Sequence, residues 1–263
     1  MIGSVLGIFG VGMMGGSVGL HARARGVYVV GCDIDPAALD AAAEAGAIDA
    51  AATPETLAGE ADVLVVASHL EPTLCELERL SRGTAVRAEL VLDVASVKVP
   101  VVSAAERLKN FVATHPMAGC ERSGAGAARA DLFAGCSWAY VPSGDAGLDA
   151  RALEFIRWCG GIPVATSAEA HDRIVALTSH LPQIVASCYA ALLGESESEA
   201  QRLSGPVARE LLRISDMNAP MWRDILRANA HYVEPQLRRL ANALAAAADG
   251  LEISTGGIAR AAL

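Results

Sequence analysis

The stretch GIFGVGMMGGS (7–17) limits the fold of this chain more than any other. It places Gly10, Gly12 and Gly15 at GxGxxG spacing, directly after the apolar run SVLGIF (4–9) and at the start of a helical pattern. Each glycine answers a separate steric need. Gly10 allows a tight turn, Gly12 lets a pyrophosphate approach the backbone, and Gly15 lets the helix pack closely on the strand. The helix then turns its unpaired N–H groups and positive dipole end toward the loop, which suits phosphate. Asp33 ends the next apolar run, VYVVGCD (27–33). A carboxylate there accepts from two ribose hydroxyls and repels a 2′-phosphate. No Arg follows it in DIDP (33–36), so the cofactor implied is NAD rather than NADP.

Further short apolar runs follow at DVLVVAS (62–68), ELVLDV (89–94), NFVATH (110–115), SWAYVP (137–142) and IPVAT (162–166). Helical patterns such as PAALDAAAEAG (36–46) and LDARALEFIRWCGG (148–161) lie between them. Continuous apolar strands separated by helices predict a parallel sheet covered on both faces, a doubly wound, Rossmann-type α/β domain over 1–167. From 168 to 263 the pattern is helical throughout, which predicts an all-helical second domain. Its Ala- and Leu-rich helices with one apolar face suit a partner subunit, so a homodimer through this domain is expected.

The net charge of −9 argues against nucleic acid, which needs a basic face. Six cysteines form no CxxC pair and show no metal-ligand spacing, so reduced thiols in a cytoplasmic protein, and no metal site, are expected. The apolar N-terminus is broken by glycines and lacks a basic leader. No uninterrupted apolar run reaches about 18 residues, so no membrane span is expected.

In an open parallel sheet, ligands bind beyond the carboxyl ends of the strands. Ser68 and His69, Ser96 and Lys98, and His115 all follow strand candidates there. His115 precedes Pro116, which stiffens the exit, and small residues after it leave room for a ligand. A neutral imidazole at that edge can accept a proton near pH 7, as the oxidation of an alcohol requires. Ser96 can share the same oxygen or cap the helix beginning near VPVVSAAERL (99–108). His69 reads as a loop residue near the cofactor. In SHLPQ (179–183), Pro182 cannot donate to the carbonyl of Thr178 and should distort its helix. His171 and His180 lie nine residues apart, which places them on opposite helix faces.

Taken in order, GVGMMGGSVG (10–19), DVASVK (93–98), HPMAGCERSG (115–124), HDRIVALTSHLPQ (171–183) and APMWRDI (219–225) resemble the motifs of the prephenate/arogenate (cyclohexadienyl) dehydrogenases. The resemblance covers nearly the whole chain. It implies NAD-dependent oxidative decarboxylation of a cyclohexadienyl substrate in tyrosine biosynthesis. It implies that His115 takes the hydroxyl proton, that Ser96 contacts the same hydroxyl, and that Glu121 helps organise the site. It further implies that Arg213 grips a substrate carboxylate, with His180, Gln183, Arg209 and Trp222 near the same pocket, some of them supplied across the dimer. Two departures stand out. Gln183 occupies a position where many prephenate-specific members carry His, which leaves the choice between prephenate and arogenate open. RELLR (209–213) replaces a more polar, threonine-containing segment before the arginine. A β-hydroxyacid dehydrogenase or imine reductase has a similar architecture, but uses a lysine on the helical domain, and residues 168–263 contain none. A dinucleotide-binding sensor without turnover is the third reading.

Overall fold

The computed structural model describes residues 3–249, apart from 84, 120–123, 196–197, 217–218 and the side chains of 198 and 199. Six strands form one parallel sheet: β1 (Val5–Phe9), β2 (Tyr28–Cys32), β3 (Ala50–Ala51), β4 (Val63–Val66), β5 (Leu90–Asp93) and β6 (Phe111–Val112), in the order β3-β2-β1-β4-β5-β6. The order reverses between β1 and β4, which opens a crevice at their carboxyl ends. Around the sheet lie α1 (Met13–Arg23), α2 (Pro36–Glu44), α3 (Pro54–Glu60), α4 (Leu70–Ser81), α5 (Val99–Ala104) and α6 (Ala146–Trp158). The fold class is doubly wound α/β followed by a helical region, as the alternating pattern predicts.

Side chains alternate across the central strands. Val63 and Val65 join Leu6, Ile8 and Phe155 in one apolar cluster, while Leu64 and Val66 join Val91, Leu77 and Phe111 in another. Both faces are therefore covered, and a strand buried on both sides has no room for a polar position. Local chemistry fixes several helix starts. Asp35, Thr53 and Asp145 each accept a backbone N–H at the first turn of α2, α3 and α6, and Pro36 and Pro54 occupy the first helical position of α2 and α3.

Two strand expectations change. NFVATH is not one strand. After β6 the chain leaves the main sheet at Ala113, and β7 (Thr114–Pro116) pairs antiparallel with β8 (Ser137–Tyr140), which in turn pairs parallel with β9 (Ile162–Ala165). The switch has a local cause, because the Thr114 N–H is taken by the Asp93 carboxylate at 2.8 Å instead of a sheet carbonyl. β3, only two alanines long, went unread because it carries no β-branched or aromatic residue.

Beyond β9 the described chain is helical: α7 (Ala168–Val175), α8 (Leu181–Gly194), α9 (Ser198–Arg202), α10 (Pro206–Ser215), α11 (Ala219–Ala228) and α12 (Ala230–Asp249). Ile225 of α11 enters the second apolar cluster, with Met221 and Trp222 packed against it, so the helical region sits directly on one face of the sheet domain. Between α7 and α8, Ala176–His180 form one wide π turn in which the Leu181 N–H reaches the Ala176 carbonyl. Pro182 follows, the residue expected to disturb this helix. The run 168–194 is long and apolar enough to cross a membrane by length and composition, its most apolar 18-residue window having mean hydropathy 1.3. Polar residues such as Glu169, Asp172, Arg173, His180 and Gln183 interrupt it, so it is not the uninterrupted apolar run whose absence the sequence predicts. It carries buried His171, Asp172, His180 and Gln183, whose polar contacts, described below, are made to other parts of the protein.

Candidate active site

At the carboxyl end of β1 the glycine loop has the shape its spacing predicts. Gly10 adopts φ +91°, and a Cβ there would lie 2.7 Å from the Ser68 backbone nitrogen at the exit of β4. A Cβ on Gly15 would lie 2.0 Å from the Gly10 carbonyl oxygen, so only glycine lets α1 pack this closely. A Cβ on Gly12 would meet nothing within 4 Å. Gly12 begins α1 without any side-chain cap, and the first turn carries no acid. The loop is thus open on the side where a pyrophosphate would approach, with the helix end uncapped. Asp33 sits at the end of β2 and is anchored to this loop. Its Oδ2 accepts from Val11 N at 2.9 Å and its Oδ1 from Asp35 N at 3.1 Å.

Two strands over, a polar cluster lies under the carboxyl edge. Asp93, the last residue of β5, and Lys98, at the start of α5, are both completely buried and form an ion pair. Asp93 also accepts from Ala95 N and Thr114 N, each at 2.8 Å. Lys98 Nζ donates in addition to the Thr114 carbonyl at 2.5 Å, and the Thr114 hydroxyl donates to the Asp93 carbonyl. Burial pushes the Asp93 carboxyl up and the Lys98 ammonium down, while the pairing itself opposes both shifts. The backbone immediately before His115 is therefore held by three side-chain contacts, all directed at Thr114.

His115 is half-buried, opposite Ala139 of β8. Its Nδ1 lies 2.9 Å from Nε2 of His171 on α7, and His171 Nδ1 lies 2.7 Å from Asp172 Oδ1. Asp172 also accepts from Lys98 N at 2.7 Å and Val99 N at 2.8 Å. This carboxylate from the helical region caps α5, and α5 has no cap of its own. Ser96, the residue considered for that role, is half-buried in the loop between β5 and α5 and has no hydrogen-bond partner among the described residues. Burial first, then the Lys98 ammonium and the His171 and His180 rings, hold the His115 pKa well below that of a free histidine. A neutral base results.

His171 and His180 do not lie on opposite sides as their spacing suggests. Both are buried, at 3% and 1% exposure. The π turn absorbs one residue between them, which rotates His180 by about 100° relative to an unbroken α-helix. His180 Nδ1 then meets the Asn229 amide at 3.0 Å, and the same amide donates to the Asp172 carbonyl at 2.8 Å. Burial lowers the His180 pKa to about 4, against a raising effect of Asp172. Its ring stands edge-on to Trp222, with centroids 5.9 Å apart. Gln183 is buried one turn on and donates to the Ile214 carbonyl of α10 at 3.0 Å. Gln183 and Trp222 line a cavity of 390 Å³ together with Ser187, Ser215 and Arg223.

The structure thus brings His115, through His171, and His180, beside Trp222, to the seam between the two regions, while Gln183 lines a cavity within the helical region. It does not bring Arg213 or Arg209 there within one chain. Arg213 is exposed on α10 and pairs with Glu210 at 2.6 Å, and Arg209 is exposed with its Nε on the Ser204 carbonyl at 3.1 Å. Glu121 lies outside the described residues. His69 is the residue before α4 and offers no side-chain cap. Sequence reasoning missed Asp93, Asp172 and Asn229 and assigned no role to Lys98 or His171. Signals existed: Asp93 and Lys98 stand in an otherwise apolar stretch, and His171–Asp172 lie one turn after the helix cap at Ser167. The buried pairing of Lys98 also removes it as a substrate-facing lysine, which weakens the β-hydroxyacid dehydrogenase and imine reductase reading.

Residues 18–160 match the family model for the nucleotide-binding domain of prephenate dehydrogenase, and residues 167–254 that for its dimerization domain. The chain is 41% identical over 250 residues to a Streptomyces niveus protein named "Probable prephenate dehydrogenase NovF", covering 90% of this chain and 66% of the relative. It is 32% identical over 235 residues to a prephenate dehydrogenase of Bacillus subtilis, covering 84% and 62%. The chain therefore spans a little under two thirds of the length of these curated relatives. Among solved structures, the prephenate dehydrogenase of Aquifex aeolicus, in complex with hydroxyphenyl propionate and NAD+, superimposes with TM-score 0.85 at 27% identity, covering 95% of this chain and 91% of that one.

Proposed function

The chain belongs to the prephenate dehydrogenase family, and from that premise we propose that it oxidatively decarboxylates prephenate or arogenate with NAD, as a homodimeric enzyme of tyrosine biosynthesis. One observation carries this reading. An uncapped glycine loop leaves the carboxyl end of β1, beside the point where the strand order reverses, and a neutral, positioned imidazole follows the carboxyl end of β6 in the same parallel sheet.

The residues present fit NAD. Gly10, Gly12 and Gly15 with the start of α1 would hold the pyrophosphate, and Asp33 the adenosine ribose. When bound, NAD supplies the acceptor for the hydride leaving the ring carbon that bears the 4-hydroxyl. The protein's own contribution is proton transfer and orientation. His115 takes the hydroxyl proton as the C–H bond breaks, and its low pKa keeps the lone pair available at neutral pH. Ser96, two residues before Lys98, orients the same hydroxyl. The ring carboxylate departs as CO2, its C–C bonding pair entering the ring, which becomes aromatic. A bidentate guanidinium suits a carboxylate anchor. Because Arg213 faces outward within one chain, we assign it, with Arg209, to the substrate pocket across the dimer. Glu121 is retained in the proposal as an organising acid. The boundary between nucleotide and helical domains falls at 167/168.

The helical region supports dimerisation. α10 buries none of its residues, and Leu203 and Val207 are 85% and 77% exposed. Such a face requires a cover. The five described cysteines are unpaired thiols, which supports placing the protein in a reducing compartment such as the cytoplasm.

The test supplies purified protein with NAD and either prephenate or arogenate and follows NADH. Turnover of at least one is expected, and the ratio of kcat/KM measures the preference left open by Gln183. No turnover of either overturns the proposal. His115→Asn should lower kcat about 10²–10⁴-fold while NADH binding persists.

A further inference from the structure

His115 does not stand alone. Its Nδ1 meets His171 Nε2 at 2.9 Å, and His171 Nδ1 meets Asp172 at 2.7 Å. Asp172 is itself buried and fixed by two backbone N–H groups of α5. We infer that His171 and Asp172 are positioning residues for the reaction: they fix the tautomer of His115 and take up the proton that His115 removes from substrate. The inference rests on the reading of His115 as the base.

The tautomers follow from the chemistry of the ends. An ionised carboxylate only accepts hydrogen bonds, so in the neutral pair His171 carries its proton on Nδ1. Its Nε2 is then a bare acceptor, and it can accept only if His115 carries its proton on Nδ1. His115 Nε2 is left with a lone pair and no proton, which is the form a general base requires. With Asp172 replaced by a group that donates, every proton in the chain reverses, and His115 presents an N–H where it should present a lone pair.

The same path relieves an electrostatic conflict. An imidazolium at His115 forms in buried surroundings with the Lys98 ammonium nearby, and both oppose it. The arrangement supplies a better place for the charge. As the substrate O–H bond breaks, a His115 Nε2–H bond forms. The His115 Nδ1–H bond then breaks and a His171 Nε2–H bond forms. His115 is again neutral, in its other tautomer, and His171 carries the positive charge in contact with the Asp172 carboxylate. One proton has moved two steps and no electrons have been transferred. The other charged and titratable groups near the chain are Lys98 and Asp93 on the sheet side and His180, with the neutral Asn229 amide, on the helical side. The Lys98–Asp93 pair is internally compensated, so Asp172 is the carboxylate left to face the two rings.

Asp172 also ties the regions together. It belongs to α7, yet it caps α5 of the sheet domain. Any movement of the helical region relative to the sheet would therefore alter the tautomer control of His115 along with the site's shape.

The test uses the full-length protein with labelled histidine ring nitrogens and follows 15N spectra, with His115 assigned by its loss in His115→Gln. The expected signature is a protonated Nδ1 and a bare Nε2, whereas a proton on Nε2 overturns the inference. Kinetics with NAD and the better of prephenate and arogenate supply the second arm. His171→Leu removes both acceptor and proton store, and kcat should fall about 10²–10³-fold with KM for NAD unchanged. His171→Gln keeps an acceptor opposite His115 Nδ1 but cannot take the proton, and it should fall roughly 10-fold. Asp172→Asn should move the acidic inflection of kcat/KM downward by about one pH unit, because the anion favouring the cationic pair is gone. Wild-type kcat and an unmoved inflection in these variants, beside an inactive His115→Gln, sink the inference and leave the proposed function standing. An active His115→Gln sinks the reading on which both depend. If Asp172→Asn fails to fold through loss of the α5 cap, the wild-type spectra and the His171 variants still decide.

Discussion

Lys98→Met is the most informative single change outside the catalytic contacts. The lysine and its partner Asp93 are each 0% exposed. Substitution by methionine keeps most of the side-chain volume and removes the ammonium. Asp93 then retains only the Ala95 and Thr114 N–H donors, at 2.8 Å each, and the Thr114 carbonyl loses its charged donor. Removing one member of a buried ion pair costs about 3–5 kcal/mol, because the remaining charge is uncompensated. For a chain of this size each kcal/mol shifts Tm by about 2–4 °C, so a drop of roughly 6–20 °C is expected.

The pH dependence gives a sharper check. Burial already raises the Asp93 pKa, and loss of Lys98 raises it further. A carboxyl whose folded pKa lies above its unfolded value binds more protons in the native state, so stability falls as pH rises through that window. The deficit of Lys98→Met should therefore be smaller at pH 5 than at pH 8. Thermal and urea unfolding at fixed protein concentration measure both effects. The double substitution Asp93→Leu with Lys98→Met should recover most of the loss, since no buried charge remains. Activity should fall in the single variant, because His115 follows the residue that Lys98 clamps. A Lys98→Met protein with Tm within 2 °C of wild type and the same deficit at both pH values would refute the assignment of Lys98 as a buried cation.

The glycine loop separates packing from binding. Gly12→Ala adds a Cβ into open space, so Tm should stay within about 2 °C while the NADH Kd rises at least about 10-fold, read by fluorescence titration. Gly15→Ala drives a Cβ to 2.0 Å from the Gly10 carbonyl, so stability and NADH binding should be lost together; equal effects of the two substitutions would contradict the assigned roles. Acid stability follows from His180, whose folded pKa of about 4 lies below the ordinary imidazole value of 6.5. The unfolded chain takes up the proton first on acidification, so stability is lost as pH falls from about 6.5 toward about 4, by at most about 3 kcal/mol for this residue. His115 adds to the loss in the same direction. Urea midpoints between pH 4 and 7.5 measure it, and His180→Gln should flatten the slope; an unchanged slope would show that another group is responsible.

The sheet was legible because its signals are local and redundant. Val63–Val66 is apolar at every position, which only a strand covered on both faces tolerates, and Gly10 is fixed by a positive φ that few other residues adopt. The small second sheet was not legible. Nothing within NFVATH marks a change of sheet at Ala113, since the cause is the Asp93 carboxylate, 21 residues from Thr114 in sequence. Ser96 illustrates the same limit. A serine near a helix start is a sound cap candidate, but a carboxylate more than 70 residues downstream takes the position.

The histidines show why a site is harder to read than a fold. His115 could be singled out because the topology of a parallel sheet tells where strand ends meet. Its partners could not, because their relation depends on a helix that is not uniform. Nine residues of ideal α-helix turn through about 900° and separate His171 from His180 by half a turn. Inserting one residue removes about 100° from that angle, enough to bring both rings to the buried side, where the Asn229 amide joins the His180 ring to the Asp172 carbonyl. Pro182 announced a distortion but not its sense: a kink, a break or a widened turn would each satisfy the missing N–H. The widened turn is the one that keeps the helix continuous while turning His180 inward, toward Asp172 and Trp222. A sequence in which Pro182 is replaced by Ala removes the reason for the π turn, so restoration of regular α-helix would swing His180 away from Asn229 and raise its pKa toward the value of an exposed imidazole.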